Sequence, residues 1–257
     1  MIDVHTHILP CIDDGAQSID NFLSMANAAV NDGITTMVAT PHHKNENYNN
    51  PSSSIEQLTY QMNCLLEKEK IHLELVPGQE VRMHGDLLEG LHIGEILPIN
   101  NKSYVLVEFP SDHIPKYSDE VFFNMQLEGY KPIIAHPERN REIIQNPEKL
   151  YDFVERGIIT QITASSLIGL FGKKIMKFSY KLIKENLTHI IASDAHNVNQ
   201  RGFCLNKAYQ EIENKFGEGL ANMYYSNSFS VLKGLPIELV QPKYNKKNTI
   251  RKLFNIY

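Results

Sequence analysis

The sequence predicts an α/β fold, a parallel sheet closed into a single barrel, on three observations. Short apolar runs alternate with helical patterns from end to end, with no long linker between them. Most of these runs are continuous in apolar residues, as in strands covered on both faces. Side chains able to carry chemistry follow one strand after another. The C-terminal strand ends of a barrel converge on one face, whereas an open doubly wound sheet spreads them along an edge, so convergence favours the barrel.

Met1–Val4 opens as a short strand. Ser18 then reads as an N-cap, followed by Ile19, Phe22, Leu23, Ala26, Ala29 and Val30 at helical spacing and by Gly33 as the stop. Ile34–Ala39 is the second strand, ended by Pro41 and a loop rich in Asn and Ser. A helix over Ser54–Lys70 buries Ile55, Leu58, Met62, Leu65 and Leu66. Leu73–Val76 and Tyr104–Phe109 read as strands, and Ser118–Glu128 as a helix stopped by Gly129. Pro132–Ala135 is a strand, Pro147–Arg156 a helix and Ile158–Thr163 a strand. Ile175, Phe178, Leu182 and Ile183 share one helical face ahead of the strand His189–Ala192, and a last helix is expected near Asn199–Lys215.

At 257 residues the chain can bury a substantial core. With 42% hydrophobic and 21% charged residues it has the balance of a soluble globular protein. The formal net charge is −5, which offers nucleic acid no general attraction. Cys11, Cys64 and Cys204 are an odd number without a C-x-x-C pair, so neither a disulfide framework nor a cysteine zinc site is expected. The opening MIDVHTHILP lacks the basic start and apolar run of a signal peptide. No stretch of eighteen apolar residues suggests a membrane span. The expected compartment is the cytoplasm.

The strand ends carry the chemistry. His5-Thr6-His7 and then Asp13-Asp14 follow the first strand, and His42-His43 the second. Glu80 comes after the third, across Pro77-Gly78, while Glu108 ends the fourth and His136 the fifth. Asp194-Ala195-His196 ends the seventh. Imidazoles and carboxylates without thiolates suit manganese, iron or zinc in a working site. Residues two apart on a strand point the same way, so His5 and His7 can grip one ion together. A single H-x-H pair often only hydrogen-bonds to a loop; the recurrence at strand after strand argues for a shared site.

The segments IDVHTHILPCIDDG, TPHH, PGQEV, VEFP, AHPERN and SDAHN resemble, in order, the motifs of the polymerase-and-histidinol-phosphatase (PHP) superfamily. The set is most similar to the CpsB/YwqE-type protein-tyrosine phosphatases encoded with bacterial capsule or exopolysaccharide genes, over about residues 1–201. The resemblance implies a distorted seven-stranded (β/α)7 barrel that holds three metal ions, best activated by Mn2+; the phosphatase domain is expected over residues 1–241, and the donor types also suit iron or zinc. It implies that His5, His7, Glu80 and Asp194 hold one ion, and Glu80, Glu108 and His136 a second with Glu80 bridging. Asp14, His42 and His196 then hold the third.

Four carboxylates facing three divalent ions leave the site at about +2, a host for a phosphate dianion. Arg139 and Arg201 follow ligands closely, and a guanidinium fork can bind two phosphate oxygens at once. Both positions resemble phosphate-contacting arginines of the family. No cysteine has an arginine six residues on, since Gln17, Lys70 and Gln210 stand there, so a water activated by metal is the expected nucleophile rather than a thiolate. Phenolate, with a pKa near ~10, leaves readily. His43 and Asp13 are the candidates for assisting it, or for orienting neighbouring ligands. His72, His84, His92, His113 and His189 lack ligand spacing, with His113 the one placed to reach the mouth of the site.

The expected activity is hydrolysis of phosphotyrosine in protein, with a tyrosine autokinase of polysaccharide synthesis as substrate and no nucleic acid partner. The rivals are a histidinol-phosphate phosphatase, a PHP exonuclease and a non-catalytic metal-binding scaffold. An amidohydrolase, which also opens with H-x-H, usually carries a bridging Lys where this chain has Glu108. From Pro242 the chain carries five Lys/Arg and no acid. This tail is expected either to be solvated or to touch an acidic partner or the inner membrane surface near a kinase.

Overall fold

The structure, a computed structural model, describes residues 1–243. The basic segment singled out above lies, beyond Lys243, outside the described residues. The chain begins β1 (Ile2–Thr6), α1 (Ile19–Asn31), β2 (Thr36–Ala39), β3 (His42–His43), α2 (Ser52–Lys68), β4 (Glu74–Pro77), β5 (Glu80–Arg82) and α3 (Leu87–His92). It continues through β6 (Tyr104–Glu108), α4 (Ser118–Leu127), β7 (Lys131–Ala135), α5 (Arg141–Gln145), α6 (Glu148–Glu155), β8 (Ile159–Thr163) and α7 (Ala164–Leu167). The last elements are α8 (Lys173–Lys184), β9 (Ile190–Ala192), α9 (Leu205–Phe216) and α10 (Glu218–Lys233).

All strand pairs are parallel. They form one sheet in the order β1-β2-β4 and a second in the order β3-β5-β6-β7-β8-β9. Because β2 runs on into β3 and β4 into β5, seven strand segments stand in one cyclic order. The ring is joined past the end of β9 by an isolated bridge between Thr6 and Ala195, with Asp194 N donating to His5 O at 2.9 Å and His7 N to Ala195 O at 2.9 Å. This is the distorted (β/α)7 barrel expected from the sequence, closed by a few bonds in place of a full ladder.

Two apolar clusters follow from the alternation of side chains along each strand. One lies between strands and helices. The other takes one residue from each strand segment (Val4, Val38, Val76, Leu106, Ile133, Ile159 and Ile190) and fills the interior, with Val231 and Leu232 of α10 packed on it. Burying Phe22, Phe122 or Tyr104 alone removes enough apolar surface to stabilise the fold by about 2 kcal/mol each.

Several boundaries differ from the sequence reading, each for a local reason. β1 reaches Thr6, because the contact with residue 195 continues its pairing. Ser18 caps α1 as expected, accepting from Asn21 N at 3.1 Å. The last predicted helix starts at Leu205, not Asn199. Asn197 Oδ1 turns residues 199 and 201 away by accepting from their backbone N–H groups, and Asp32 of the α1 end caps α9 by accepting from Leu205 N at 2.6 Å. α10 was not legible because its buried face includes Asn227 and Ser228.

Candidate metal centre

The site is built at the C-terminal strand ends, starting with the loop after β1. Gly15 N donates to Asp13 Oδ1 at 2.9 Å and Ala16 N to His7 O at 3.2 Å, folding the loop back on the strand. The approach is so close that a Cβ on Gly15 would fall 1.8 Å from His7 O, which only glycine avoids. Asp13 thereby comes to accept from His7 Nδ1 at 2.7 Å and from His42 N at 3.2 Å.

Hydrogen bonds at Nδ1 set the histidine tautomers, because an acceptor oxygen requires N–H opposite it. His7 donates from Nδ1 to Asp13, His5 to Gln161 Oε1 at 2.9 Å and His196 to the Asp194 carbonyl at 3.0 Å. Each ring is left with a bare Nε2. The Nε2 atoms of His5 and His7 lie 3.2 Å apart, and each stands 3.3–3.5 Å from Glu80 Oε2 and from Asp194 Oδ1. Donors about 2.1 Å from one ion in a tetrahedral shell stand about 3.4 Å apart, so this spacing suits a shared cation.

Two further groupings adjoin the first. Asp14 Oδ1 lies 3.4 Å from His42 Nε2 and 3.3 Å from His196 Nε2, and His7 completes a set whose donors fall within 4.8 Å of one another. His42, Glu80 and Glu108 form another such set. His136 Nε2 is 2.7 Å from Glu80 Oε1 and 4.0 Å from Glu108 Oε1. The buried His42 Nδ1 and His196 Nε2 make no hydrogen bond, although carboxylate oxygens stand 2.9 and 3.3 Å away. Atoms so close yet misaligned face a common point rather than each other. Left so, each costs about 1–3 kcal/mol, which a cation would relieve. The donor set therefore fits divalent metal. His42 reaches two groupings at once, one through each nitrogen.

Backbone strain and electrostatics agree with a functional site. His136 at φ 33° and Asp194 at φ 52° both sit in the left-handed region, disfavoured for side chains with a Cβ. Burial opposes charge on Glu80 and Asp194, yet His5 beside the first and Arg139 beside the second hold both carboxyls well below the usual range. Burial and the Glu80 charge push Glu108 the other way, to about 7. Burial lowers His136 and His196 to about 4, keeping them in the neutral form that binds metal. His7 rises despite burial because Asp13 faces it, so a cation must compete there with a proton.

Above the cluster opens a cavity of about 340 Å³, lined by Asp14, His42, Glu80, Glu108, His136, Arg139, Asp194 and Arg201 among others. Arg139 Nη2 lies 2.5 Å from Asp194 Oδ2, and Arg201 Nη2 is 3.3 Å from Asp194 Oδ1. A larger groove of about 830 Å³ lies beyond the loop after β6; His113 lines it, and none of the metal-binding cluster does.

Two nominated residues stand apart from the cavity. His43 alternates with His42 along β3, so its buried ring faces Glu95, 3.9 Å away, and cannot serve a leaving group in the cavity. Asp13 is spent on His7 and orients that ring. Cys11 and Cys64 are exposed, Cys204 is buried against Ser165, and none lines the cavity. Sequence reasoning missed Gln161, the acceptor for His5, and Arg82, whose Nη2 lies 3.2 Å from Glu108 Oε2. Both follow strand alternation: Gln161 shares a face with Ile159, and Arg82 with Glu80.

The comparisons with known proteins agree with this geometry. The family model for capsular polysaccharide synthesis, CpsB/CapC, matches residues 1–233. The tyrosine-protein phosphatase YwqE of Bacillus subtilis is 45% identical over 257 residues, covering 100% of both chains. The putative tyrosine-protein phosphatase CapC of Staphylococcus aureus is 39% identical, covering 96% of this chain and 94% of its own. A chain from the crystal structures of YwqE from Bacillus subtilis and CpsB from Streptococcus pneumoniae, described as metal-dependent tyrosine phosphatases, matches with a TM-score of 0.94 at 45% identity, covering 96% of this chain and 100% of that one. With a barrel of this topology and a matched span from the first strand to the last helix, the chain belongs to the CpsB/CapC family of capsular polysaccharide synthesis.

Proposed function

We propose that this chain is a metal-dependent protein-tyrosine phosphatase that releases phosphate from phosphotyrosine in a bacterial tyrosine kinase of capsular or exopolysaccharide synthesis. The observation that carries the reading is the placement of two guanidiniums, Arg139 and Arg201, on one carboxylate at the rim of a cluster of bare imidazole nitrogens. Full-length identity of 45% to a tyrosine-protein phosphatase supports the reaction class.

In this reading His5, His7, Glu80 and Asp194 hold one ion, and Glu80, Glu108 and His136 a second. Asp14, His42 and His196 hold a third, with Mn2+ the expected metal. The spacing of His7 and His42 supports their leaning toward a second ion as well. Divalent cations, when bound, supply the charge that makes water nucleophilic near neutral pH and neutralises the phosphate.

The chain's own residues do the rest. Arg139 and Arg201 bind non-bridging phosphate oxygens and stabilise the charge that builds on them. Arg139 Nε is buried and without a hydrogen-bond partner among the described residues, while Nη2 is held 2.5 Å from Asp194 Oδ2. Asp13 and Gln161 keep His7 and His5 in the tautomer that presents Nε2. A phenolate leaving group needs little proton donation.

Residues 1–241 act as the catalytic unit, and the cytoplasm is the proposed compartment. No helix among the described residues is long and apolar enough to cross a membrane. Any approach to the inner membrane face would come through the kinase or the basic tail, and deleting residues 243–257 would test the latter. The decisive assay compares a phosphotyrosine peptide, histidinol phosphate and single-stranded DNA on metal-stripped protein rebuilt with Mn2+. The phosphotyrosine peptide should be hydrolysed with the highest kcat/KM; a higher value for either of the others would overturn the proposal.

A further inference from the structure

Two aromatic side chains stand behind residues that line the cavity. Phe171 lies on the loop after α7, between Gly169 at φ 84° and Gly172 at φ 92°, two turns that side chains with a Cβ resist. Its ring faces the Arg139 guanidinium, 5.4 Å from Cζ. Tyr48 lies on the loop after β3, and its ring stacks on His42 with centroids 6.1 Å apart and planes 10° from parallel. That loop is pinned rather than loose. Asn45 Oδ1 accepts from Asn47 N at 3.0 Å and Tyr48 N at 2.7 Å, and Asn50 Nδ2 donates to Ile12 O at 2.9 Å and His42 O at 2.8 Å. Both residues are half-buried.

The arginines and the donor cluster recognise a phosphate but not the group that carries it. Both rings lie on loops that follow C-terminal strand ends, the face on which the cavity opens, and each packs on a residue that lines it, Phe171 on Arg139 and Tyr48 on His42. Aromatic rings attract one another at centroid separations of about 4.5–7 Å, an interaction an alkyl chain cannot match. We propose that Phe171 and Tyr48 are specificity residues that receive the phenyl ring of an aryl phosphate and so favour it over alkyl phosphates. The inference rests on the phosphatase reading and names what the mouth of that site selects.

The test measures binding, so that it does not depend on turnover. Phenylphosphonate and methylphosphonate are titrated calorimetrically into Mn2+-loaded wild type, Phe171→Leu, Tyr48→Leu and the double variant. Wild type should prefer phenylphosphonate, and each leucine variant should lower that preference by about threefold to tenfold, the range of one aromatic contact. Phe171→Tyr and Tyr48→Phe keep a ring and should keep the preference. Equal weakening of both phosphonates would show that the rings only support Arg139 and His42, and would overturn the proposal. So would a wild type that binds the two phosphonates equally, or ring-keeping variants as poor as the leucines. Hydrolysis of a phosphotyrosine peptide by wild type is measured alongside. Failure there sinks the phosphatase reading, whereas hydrolysis with an unchanged phosphonate ratio sinks only the role of the rings.

Discussion

Arg139 and Asp194 form a 2.5 Å ion pair at the edge of the cavity, and the carboxylate is almost wholly buried. Arg201 approaches the same carboxylate, so Asp194 organises both guanidiniums while its Oδ1 also faces His5 and His7. Placing a cation for phosphate this way fixes its position before substrate arrives, which is where electrostatic catalysis gains most.

Arg139→Ala should therefore lower kcat/KM on a phosphotyrosine peptide by about 10²-fold or more. Arg139→Lys should recover little, since a single ammonium cannot replace a planar fork. Steady-state kinetics decide it, and a near-normal rate in Arg139→Ala would remove the role assigned to it.

Gln161 offers a test of positioning without touching a proposed ligand. Gln161→Leu removes the acceptor for His5 Nδ1–H and frees the ring to rotate or change tautomer. Metal affinity should fall about 10- to 100-fold with the secondary structure unchanged, read by titrating Mn2+ into stripped protein. Unchanged affinity would mean that strand packing alone holds His5.

Stability should fall on acidification, and His189 isolates part of the reason. Its imidazole is buried, accepts from Thr160 N at 3.1 Å, and is lowered by burial to about 4. An unfolded histidine takes its proton near 6.5, so between pH 6.5 and about 4 the unfolded chain binds a proton that the native one refuses. The contribution is intact above 6.5 and is lost as pH falls toward 4, reaching about 3 kcal/mol. His189→Gln should flatten that slope in urea melts taken across the range. A parallel slope in the variant would place the acid sensitivity elsewhere.

The ligand series was readable because it breaks a pattern. Charged and imidazole side chains at the ends of apolar runs have no packing reason to be there, and their recurrence at His5, Glu108, His136 and Asp194 exposes the converging face. The aim of each side chain was harder. His43 was nominated by adjacency, although alternation along a strand turns it away from His42. Gln161 resembles any polar residue in a strand, and Arg82 any surface cation, until the register of neighbouring strands is known. Tyr48 and Phe171 depend on loop paths that neither periodicity nor composition encodes. His42 reaching two groupings through its two nitrogens needs three strand ends in one place.

Removing divalent metal should lower thermal stability as well as activity. Glu80 and Asp194 are buried among imidazoles whose bare nitrogens converge, an arrangement that a cation stabilises only in the folded chain. Binding of this kind adds about 2.7 kcal/mol for each site held at 100 times its Kd, enough to move Tm by several degrees. Chelation should thus abolish turnover and lower Tm together. Mn2+ should restore both at lower concentration than Mg2+, which prefers oxygen donors and gives up its water reluctantly. Thermal melts and peptide assays on one titration series check this. If chelated and Mn2+-loaded protein melted at the same temperature, the convergence of His5, His7 and Glu80 would not be a binding site for cations, and the phosphatase chemistry would lose its footing.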